Sequence, residues 1–232
     1  MSKDDEETYD DIKGLEPSFF QLNRENYLKN LRMRFAHLNE NSVIVLQGAS
    51  LSPKYDTDTN YYYFDQESNF YYLTGVREPD MLFVLDVQSG EGALFYDQPS
   101  DENKVWMKVP TAQDIEDKYG IKTYLKKDLE RFLQKRNMEI IYILDGINEM
   151  SGLPVYSAEL DFIGDYAYLN KKINHDKYIY MVLCDTRRVK NEREKKLLKY
   201  IADISNEAHM ALMKYMAVGL NERDIENFFY NI

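Results

Sequence analysis

The chain has 232 residues, a formal net charge of -11, 44% hydrophobic residues and 30% charged residues. These shares are typical of a folded globular protein with one large domain, or with one domain and part of a second. The negative charge argues against nucleic acid as a partner, because phosphate backbones are bound through clustered Lys and Arg. An anionic membrane surface would be repelled as well.

The ends and the cysteine content indicate a cellular location. Cys184 is the single cysteine, so an internal disulfide and a cysteine metal site are both excluded and a reducing, cytoplasmic location is predicted. The acidic start does not fit a signal peptide, and no apolar run reaches the roughly 20 residues that a membrane helix needs. Residues 1–15 are predicted to be a disordered acidic tail.

The first elements alternate between a helix and a strand. Residues 19–39 are predicted to form an amphipathic helix capped by Ser18. Residues 43–46, "VIVL", are predicted to form a buried strand, and residues 50–60 form a polar loop rich in turn formers.

The middle of the chain continues the alternation. Residues 81–87 and 93–96 flank "QSGEG" and predict a β-hairpin. Two helices are predicted at 111–120 and around 127–136. A buried strand is predicted after them, at 140–144. Helices alternating with strands predict an α/β fold, and the hairpin makes its sheet mixed, flanked by helices.

Composition changes after about residue 176. Residues 178–190, "YIYMVLCDTRRVK", are predicted to be a last strand that runs into a basic connector. A long amphipathic helix is predicted from the cap at Asn191, with Glu194 at its third position, to Gly219.

A final helix is predicted after the cap at Asn221. Its apolar residues are Ile225, Phe228, Phe229 and Ile232, and no further element follows that could cover them. Burial of such side chains stabilises a protein by about 1.5–3 kcal/mol each. We therefore expect the chain to stop within a domain and to expose apolar surface on this helix. The alternative is that these residues pack back onto the first domain.

Few residues are arranged for catalysis. The three histidines, His37, His175 and His209, have no partner at metal-ligand spacing and are expected not to bind a metal. No glycine-rich phosphate loop or nucleophile signature occurs. No catalytic residue and no metal ligand is therefore predicted in this chain.

Two carboxylate pairs and one tryptophan remain as candidates. Asp56 with Asp58, and Glu78 with Asp80, are spaced like an acid and base, although turn formation and solvation are the more common roles of such residues. Trp106, the only tryptophan, follows the polar segment "DQPSDENK" and is either a core residue or an aromatic contact beside a ligand or partner.

Several segments together carry a family resemblance. They are "LNREN", "VIVLQG", "YDTDT", "FDQESNFYYLTGVREPD", "MLFVLDVQSGEGALFY", "VWM", "LDGINEMSG" and "ISNEAHMALMKYMAVGL". Over roughly residues 16–232 the chain resembles the N-terminal part of the creatinase, prolidase and aminopeptidase P family. Its motifs resemble those of the prolidases more than those of the aminopeptidases P.

The resemblance implies a particular domain organisation. Residues 16–184 correspond to the α/β N-terminal domain, and residues 185–232 to the first two helices of a "pita-bread" catalytic domain that is cut short. In complete family members two divalent metal ions, with manganese the expected metal, are held by five ligands of the catalytic domain. None of those ligand positions lies in this chain, and His209 matches a position that is not a ligand.

The resemblance also implies a function and a partner. Family members hydrolyse the peptide bond before proline in Xaa-Pro dipeptides, and the N-terminal domain of one subunit covers the active site of the other. Trp106, in "VWM", matches a substrate-side position contributed in trans. A homodimer or a full-length homologous subunit is the expected partner, and residues 65–80 are expected to be a structural fingerprint of the first domain.

Two alternatives stay open. The chain could be a non-catalytic pseudo-peptidase module that binds a peptide or a basic protein, for which its acidic charge is suited. It could also be a regulatory fragment that joins full-length subunits in mixed dimers. On either of these interpretations, as on the first, the chain alone has no peptidase activity.

Overall fold

The computed structural model describes residues 15–60, 63–100, 102, 105, 109–156, 158 and 172–232. Leu15–Arg188 form one compact unit, and Val189–Ile232 belong to a second. Except for Leu15, the predicted acidic tail lies outside the described residues. The expected start of a catalytic domain at residue 185 falls inside the last helix of the first unit, and the nature of the second unit stays a prediction.

The elements are named in chain order over the described residues. The first unit contains helices α1 (Pro17–Arg34), α2 (Ser68–Thr74), α3 (Ala112–Tyr119), α4 (Leu129–Lys135) and α5 (Lys177–Arg188) and strands β1 (Ser42–Gln47), β2 (Leu82–Asp86), β3 (Gly92–Tyr96), β4 (Lys122–Leu125), β5 (Ile140–Ile143) and β6 (Ile173–Asn174). The second unit contains helices α6 (Glu192–Tyr215) and α7 (Glu222–Tyr230). None of these helices is long and apolar enough to cross a membrane.

The six strands of the described residues form one mixed sheet in the order β4-β3-β2-β1-β5-β6. β2 is antiparallel to both of its neighbours, β1 and β3. The remaining pairs, β1 with β5, β3 with β4 and β5 with β6, are parallel. The predicted hairpin and the mixed α/β sheet are confirmed.

Side chains alternate between two cores, as the period of a strand requires. Ile44 and Leu46 of β1 pack in the larger core with apolar residues of α1, α2, α3 and α5. Val43 and Val45 point to the opposite face, where Leu129 of α4 packs. Because both faces are covered, the central strands are apolar throughout, which explains the run "VIVL".

Local signals explain several helix ends. Thr111 caps α3 in a capping box with Asp114, and Gly120 ends that helix with φ 63°. α1 begins instead at Pro17, with Glu16 rather than Ser18 at the cap position. Proline suits this first turn because its missing N–H would have no intrahelical partner there.

One predicted element is wrong. Residues 178–190 were expected to be a last strand that runs into a basic connector, whereas Lys177–Arg188 form helix α5. Ile179, Val182, Leu183 and Thr186 are the buried residues, and their spacing places them on one helical face. The aromatic and β-branched residues of "YIYMVLC" suit a strand locally, but packing of this face against the core decides the outcome.

Within the described residues, the second unit consists of two helices. Asn191 caps α6 and Asn221 caps α7, as predicted. The acidic residue at the third position is Glu194 in α6, which was predicted, and Asp224 in α7, which was not. The ring of Phe228 stacks on that of Tyr215, with centroids 4.0 Å apart. Phe228 is half-buried by this contact, whereas Tyr230 and Ile232 are 80% and 56% exposed, so the expected apolar exposure concerns only part of the last helix.

Candidate functional site at the carboxyl edge of the sheet

The strand directions define one edge of the sheet, which we call the carboxyl edge. β1, β3, β4 and β5 all end there, because β2 alone runs the other way among the first five strands. The loops that follow Gln47, Tyr96 and Ile143 therefore leave the sheet on the same side. In open α/β sheets, ligands bind beyond the carboxyl ends of the strands, so this edge is the candidate functional site.

The loop after β1 carries the first carboxylate pair. The loop is closed by an isolated bridge between Pro53 and Asn60 and by a 2.6 Å hydrogen bond from the Lys54 N–H to the Thr59 carbonyl. Tyr55 lies within it at φ 56°, with 79% of its surface exposed. Asp56 and Asp58 are exposed beside it, so the geometry indicates solvated carboxylates rather than a desolvated acid and base.

Gln66 joins this loop to the segment 65–80. Its Oε1 accepts hydrogen bonds from the backbone N–H groups of Ala49, at 2.6 Å, and of Glu67, at 2.9 Å. Its Nε2 donates to the carbonyl oxygen of Glu78 at 2.9 Å. One amide side chain thus satisfies three backbone groups where ordinary sheet pairing is not available to them.

Helix α2 is the centre of the segment 65–80. Glu67 caps it by accepting a hydrogen bond from the Phe70 N–H at 2.7 Å. Gly75 ends it with φ 73°, and a Cβ at this position would overlap the ring of Phe20. The glycine is therefore required both by the left-handed backbone conformation and by the close approach of α1.

Two side chains of α1 complete the carboxyl end of α2. Asn23 donates to the carbonyl of Tyr72 at 3.0 Å, and Arg24 donates to the carbonyl of Leu73 at 2.7 Å. Burial lowers the pKa of Arg24 to about 10, while neighbouring Glu25 acts in the opposite direction. These contacts support the interpretation of residues 65–80 as a structural fingerprint, because its polar groups bind the protein's own backbone.

The second carboxylate pair is not an acid and base arrangement either. Glu78 accepts a hydrogen bond from Lys118 Nζ at 2.7 Å and another from the Tyr119 hydroxyl. Burial, followed by the hydrogen bond to Glu78, raises the pKa of Tyr119. Asp80 is exposed at φ 58°, and its N–H donates to the Ala49 carbonyl at 3.0 Å.

The loop after β5 adds apolar surface to the carboxyl edge. The Tyr156 hydroxyl accepts a hydrogen bond from Gln47 Nε2 at 3.2 Å, which places this loop beside the end of β1. Ile147, Met150 and Leu153 are 64%, 98% and 64% exposed. Together with Tyr55 they make the edge rich in exposed apolar and aromatic side chains, and sequence patterns had not indicated this loop as functional.

The described residues do not fit a metal site. No group of three His, Cys, Asp or Glu side chains in that part of the chain lies close enough to hold an ion. His37 and His175 are exposed on separate loops, and His209 contacts the ring of Phe229 with centroids 5.0 Å apart.

Trp106 lies outside the described residues. The segment that carries it leaves β3 after Tyr96, at the carboxyl edge, where Asp97 forms a 2.6 Å ion pair with Lys126. The topology thus brings the start of this segment to the same edge as the loop of Tyr55. The role of Trp106 itself stays a prediction.

The sequence of the chain matches a known family. The family model described as "Aminopeptidase P, N-terminal domain" matches residues 20–142, which is more than half of the chain. The chain therefore belongs to the aminopeptidase P N-terminal domain family.

The chain is also similar to individual curated proteins. The chain is 31% identical over 214 residues to Xaa-Pro dipeptidase of Homo sapiens, in a match that covers 91% of this chain and 42% of the relative. The corresponding enzyme of Mus musculus matches with the same identity and coverage. The chain thus spans less than half the length of these relatives, and this similarity lies with the prolidases, as the sequence had indicated.

Solved structures agree on the fold. A variant of Escherichia coli aminopeptidase P superposes with a TM-score of 0.68 at 17% identity, covering 94% of this chain and 49% of that one. A zinc-substituted form of the same enzyme in complex with product gives a TM-score of 0.60 at 16% identity, with coverage of 94% and 49%. At this level of identity the likeness establishes the architecture alone.

Proposed function

We propose that this chain is the N-terminal portion of a metal-dependent Xaa-Pro dipeptidase, in which it supports dimerisation and covers the active site of a partner subunit. The observation that carries the proposal is the 31% identity to human Xaa-Pro dipeptidase over 91% of this chain. The dipeptidase activity belongs to the complete enzyme. Its further part holds the two metal ions, and manganese is the proposed metal. The chain alone is inactive in this proposal.

The carboxyl edge is the part of this chain that we assign to the partner. Exposed Tyr55 and Met150 give it apolar contact area, and aromatic side chains commonly dominate the energetics of protein interfaces. The segment that carries Trp106 begins at the same edge. Trp106 is therefore proposed as a substrate-side contact made in trans, and the partner as a second copy or a full-length homologous subunit.

Composition supports the proposed location. With one cysteine, Cys184, the chain has no need of an oxidising compartment, and we propose that the protein acts in the cytoplasm on small dipeptides rather than on nucleic acid or membranes.

The test is manganese-dependent hydrolysis of Gly-Pro by the purified chain, with metal analysis of the same sample. We expect neither turnover nor stoichiometric metal from the chain alone. Mixed dimers with human Xaa-Pro dipeptidase should form on co-expression, and size-exclusion chromatography would detect them. Reproducible turnover by the chain alone would overturn the assignment of all chemistry to the missing part.

A second function is favoured by one feature of the carboxyl edge. Tyr55, Tyr63 and Met150 are 79%, 90% and 98% exposed on a chain whose net charge is -11, which suits a module that binds a basic peptide. Capture of Lys-rich or Arg-rich peptides, lost on alanine substitution of Tyr55 or Tyr63, would favour this module. Formation of mixed dimers without peptide capture would favour the dipeptidase proposal.

A further inference from the structure

Helix α5 is the last element of the first unit, and it is fixed along its length by α1. The buried Tyr27 hydroxyl donates to the carbonyl of Ile179 at 2.9 Å, near the start of α5. Asn30 Nδ2 donates to Thr186 Oγ1 at 2.9 Å, one residue before Arg187. α5 is therefore held by α1 at two points, about two turns apart, before the chain leaves this unit at Arg188.

The end of α5 contacts a different element. Arg187 donates to the Oδ1 of Asn69 and, at 3.3 Å, to the Oγ of Ser68, both at the start of α2. Its guanidinium carbon also lies 5.7 Å from the centroid of the Tyr72 ring. Asn69 is 5% exposed and is held in turn by its own hydrogen bond to Glu67 Oε1 at 3.0 Å.

α2 is itself immobilised at both ends. Glu67 caps its start, and the side chains of Asn23 and Arg24 bind its last carbonyls. A planar guanidinium that meets a buried amide and an aromatic face has a defined geometry, which a flexible ammonium group does not reproduce. The contact therefore joins a fixed support to the last turn of α5.

We propose that Arg187 is a positioning residue that clamps the last turn of α5 onto α2 and so fixes the point at which the chain leaves the first unit. In this role the fingerprint segment 65–80 serves as the anchor of the connection between the two units. The proposal concerns a contact within the first unit, and it does not depend on the proposed peptidase function.

Hydrogen exchange measured by mass spectrometry on the whole 232-residue chain tests the clamp. Arg187→Ala should accelerate exchange about tenfold in peptides covering residues 183–190, because a charge-assisted hydrogen bond to a buried partner is lost. Exchange in β1 and β2 should stay within about twofold of the wild type. Arg187→Lys should restore little of the protection.

Arg188→Ala is the matched control. Arg188 lies in the same last turn and pairs with Asp185 at 3.0 Å, but its side chain is 73% exposed. The control removes one cation from the end of α5 without touching α2, so exchange should stay near the wild-type rate. An equal acceleration in both variants would overturn the proposal, since loss of charge at the helix end would then explain the effect.

A double-mutant cycle with Asn69→Ala identifies the partner. Asn69→Ala should loosen the same peptides, and the Asn69→Ala/Arg187→Ala variant should exchange no faster than Arg187→Ala alone. Additive acceleration would show that Arg187 does not act through Asn69, and acceleration that spreads equally into β1 and β2 would show that the clamp is not local to the end of α5. Unchanged exchange in Arg187→Ala would likewise overturn the clamp.

Discussion

The guanidinium of Arg24 donates a 2.7 Å hydrogen bond to the carbonyl oxygen of Leu73, 49 residues further along the chain. Arg24 is 7% exposed, and this bond satisfies one of the last carbonyl groups of α2, which lack an intrahelical partner. A buried cation is costly to desolvate, and the lowered pKa of Arg24 reflects this cost. The bond links the motif "LNREN" to the motif "QESNFYYLTGV".

Replacement of this cation should destabilise the first unit. Arg24→Ala removes the bond to Leu73 and leaves a cavity, and we expect the free energy of unfolding to fall by about 2–4 kcal/mol. Urea titration followed by circular dichroism measures the loss. Lys29→Ala, which removes an exposed cation from the same helix, should change the value by less than about 0.5 kcal/mol. A similar, small effect of both variants would contradict a role for the buried bond.

Gly75 and Gly152 form a natural pair for testing the approach of α1 to α2. Both have left-handed backbone, with φ 73° and 70°, but a Cβ at Gly75 would overlap Phe20 whereas one at Gly152 meets no atom within 4 Å. Gly152→Ala should cost about 1–2 kcal/mol from backbone strain alone. Gly75→Ala should cost about 1–3 kcal/mol more, because it also overpacks the core. Equal unfolding free energies for the two variants would show that Phe20 moves aside freely.

Stability should fall at alkaline pH. Burial, followed by the nearby Cys184, raises the pKa of Tyr27 well above 10.0, so the folded state favours the neutral phenol. A raised folded-state pKa stabilises the protein fully below the unfolded value of about 10 and stabilises it less as the pH rises beyond that value. Unfolding free energies at pH 8 and pH 11 should therefore differ markedly in the wild type.

Tyr27→Phe separates this effect from general alkaline denaturation. The variant should lose about 1 kcal/mol at pH 8, where the bond to Ile179 is missing, and should show a smaller further loss between pH 8 and pH 11. Tyr63→Phe, which alters a side chain that is 90% exposed, should behave as the wild type does. If Tyr27→Phe is as sensitive to pH as the wild type, other groups account for the loss.

Trp106 can be tested in mixed dimers with human Xaa-Pro dipeptidase, isolated through two different affinity tags. If Trp106 contacts substrate in the partner's site, Trp106→Ala should raise the KM for Gly-Pro about tenfold without preventing dimer formation. Val105→Ala alters an adjacent side chain that is 78% exposed and should leave KM unchanged. Unaltered kinetics in Trp106→Ala would exclude the contact in trans.

Sequence patterns identified the elements whose signals are local. The hairpin from Leu82 to Tyr96 follows from two apolar runs around a turn, and the box of Thr111 and Asp114 defines the start of α3 within four residues. The run "YIYMVLC" contains no such signal. The apolar residues of this run are compatible with a strand and with a helix alike. Only the packing of Ile179 and Leu183 in the core favours the helix.

Patterns could not reveal contacts between distant segments. That Gln66 would bind the backbone of Ala49, or that Gly75 would lie against Phe20, depends on how α1 and α2 pack. The family resemblance indicated that residues 65–80 are structural, but it gave no physical reason. The exposed apolar loop around Met150 was missed because single exposed residues in a turn-rich segment carry no periodic signal.

The connectivity of the sheet also has a consequence for synthesis on the ribosome. β1 is one of the two central strands, yet its parallel neighbour β5 lies almost a hundred residues downstream, with Val43 opposite Ile141. Tyr27 likewise bonds to Ile179 across 152 residues. Such non-local pairing slows folding because long loops must close first. The hairpin can form early, but the apolar side chains of β1 stay exposed until the rest of the unit has been synthesised. Nascent chains that end before α5 should therefore be the ones that bind chaperones.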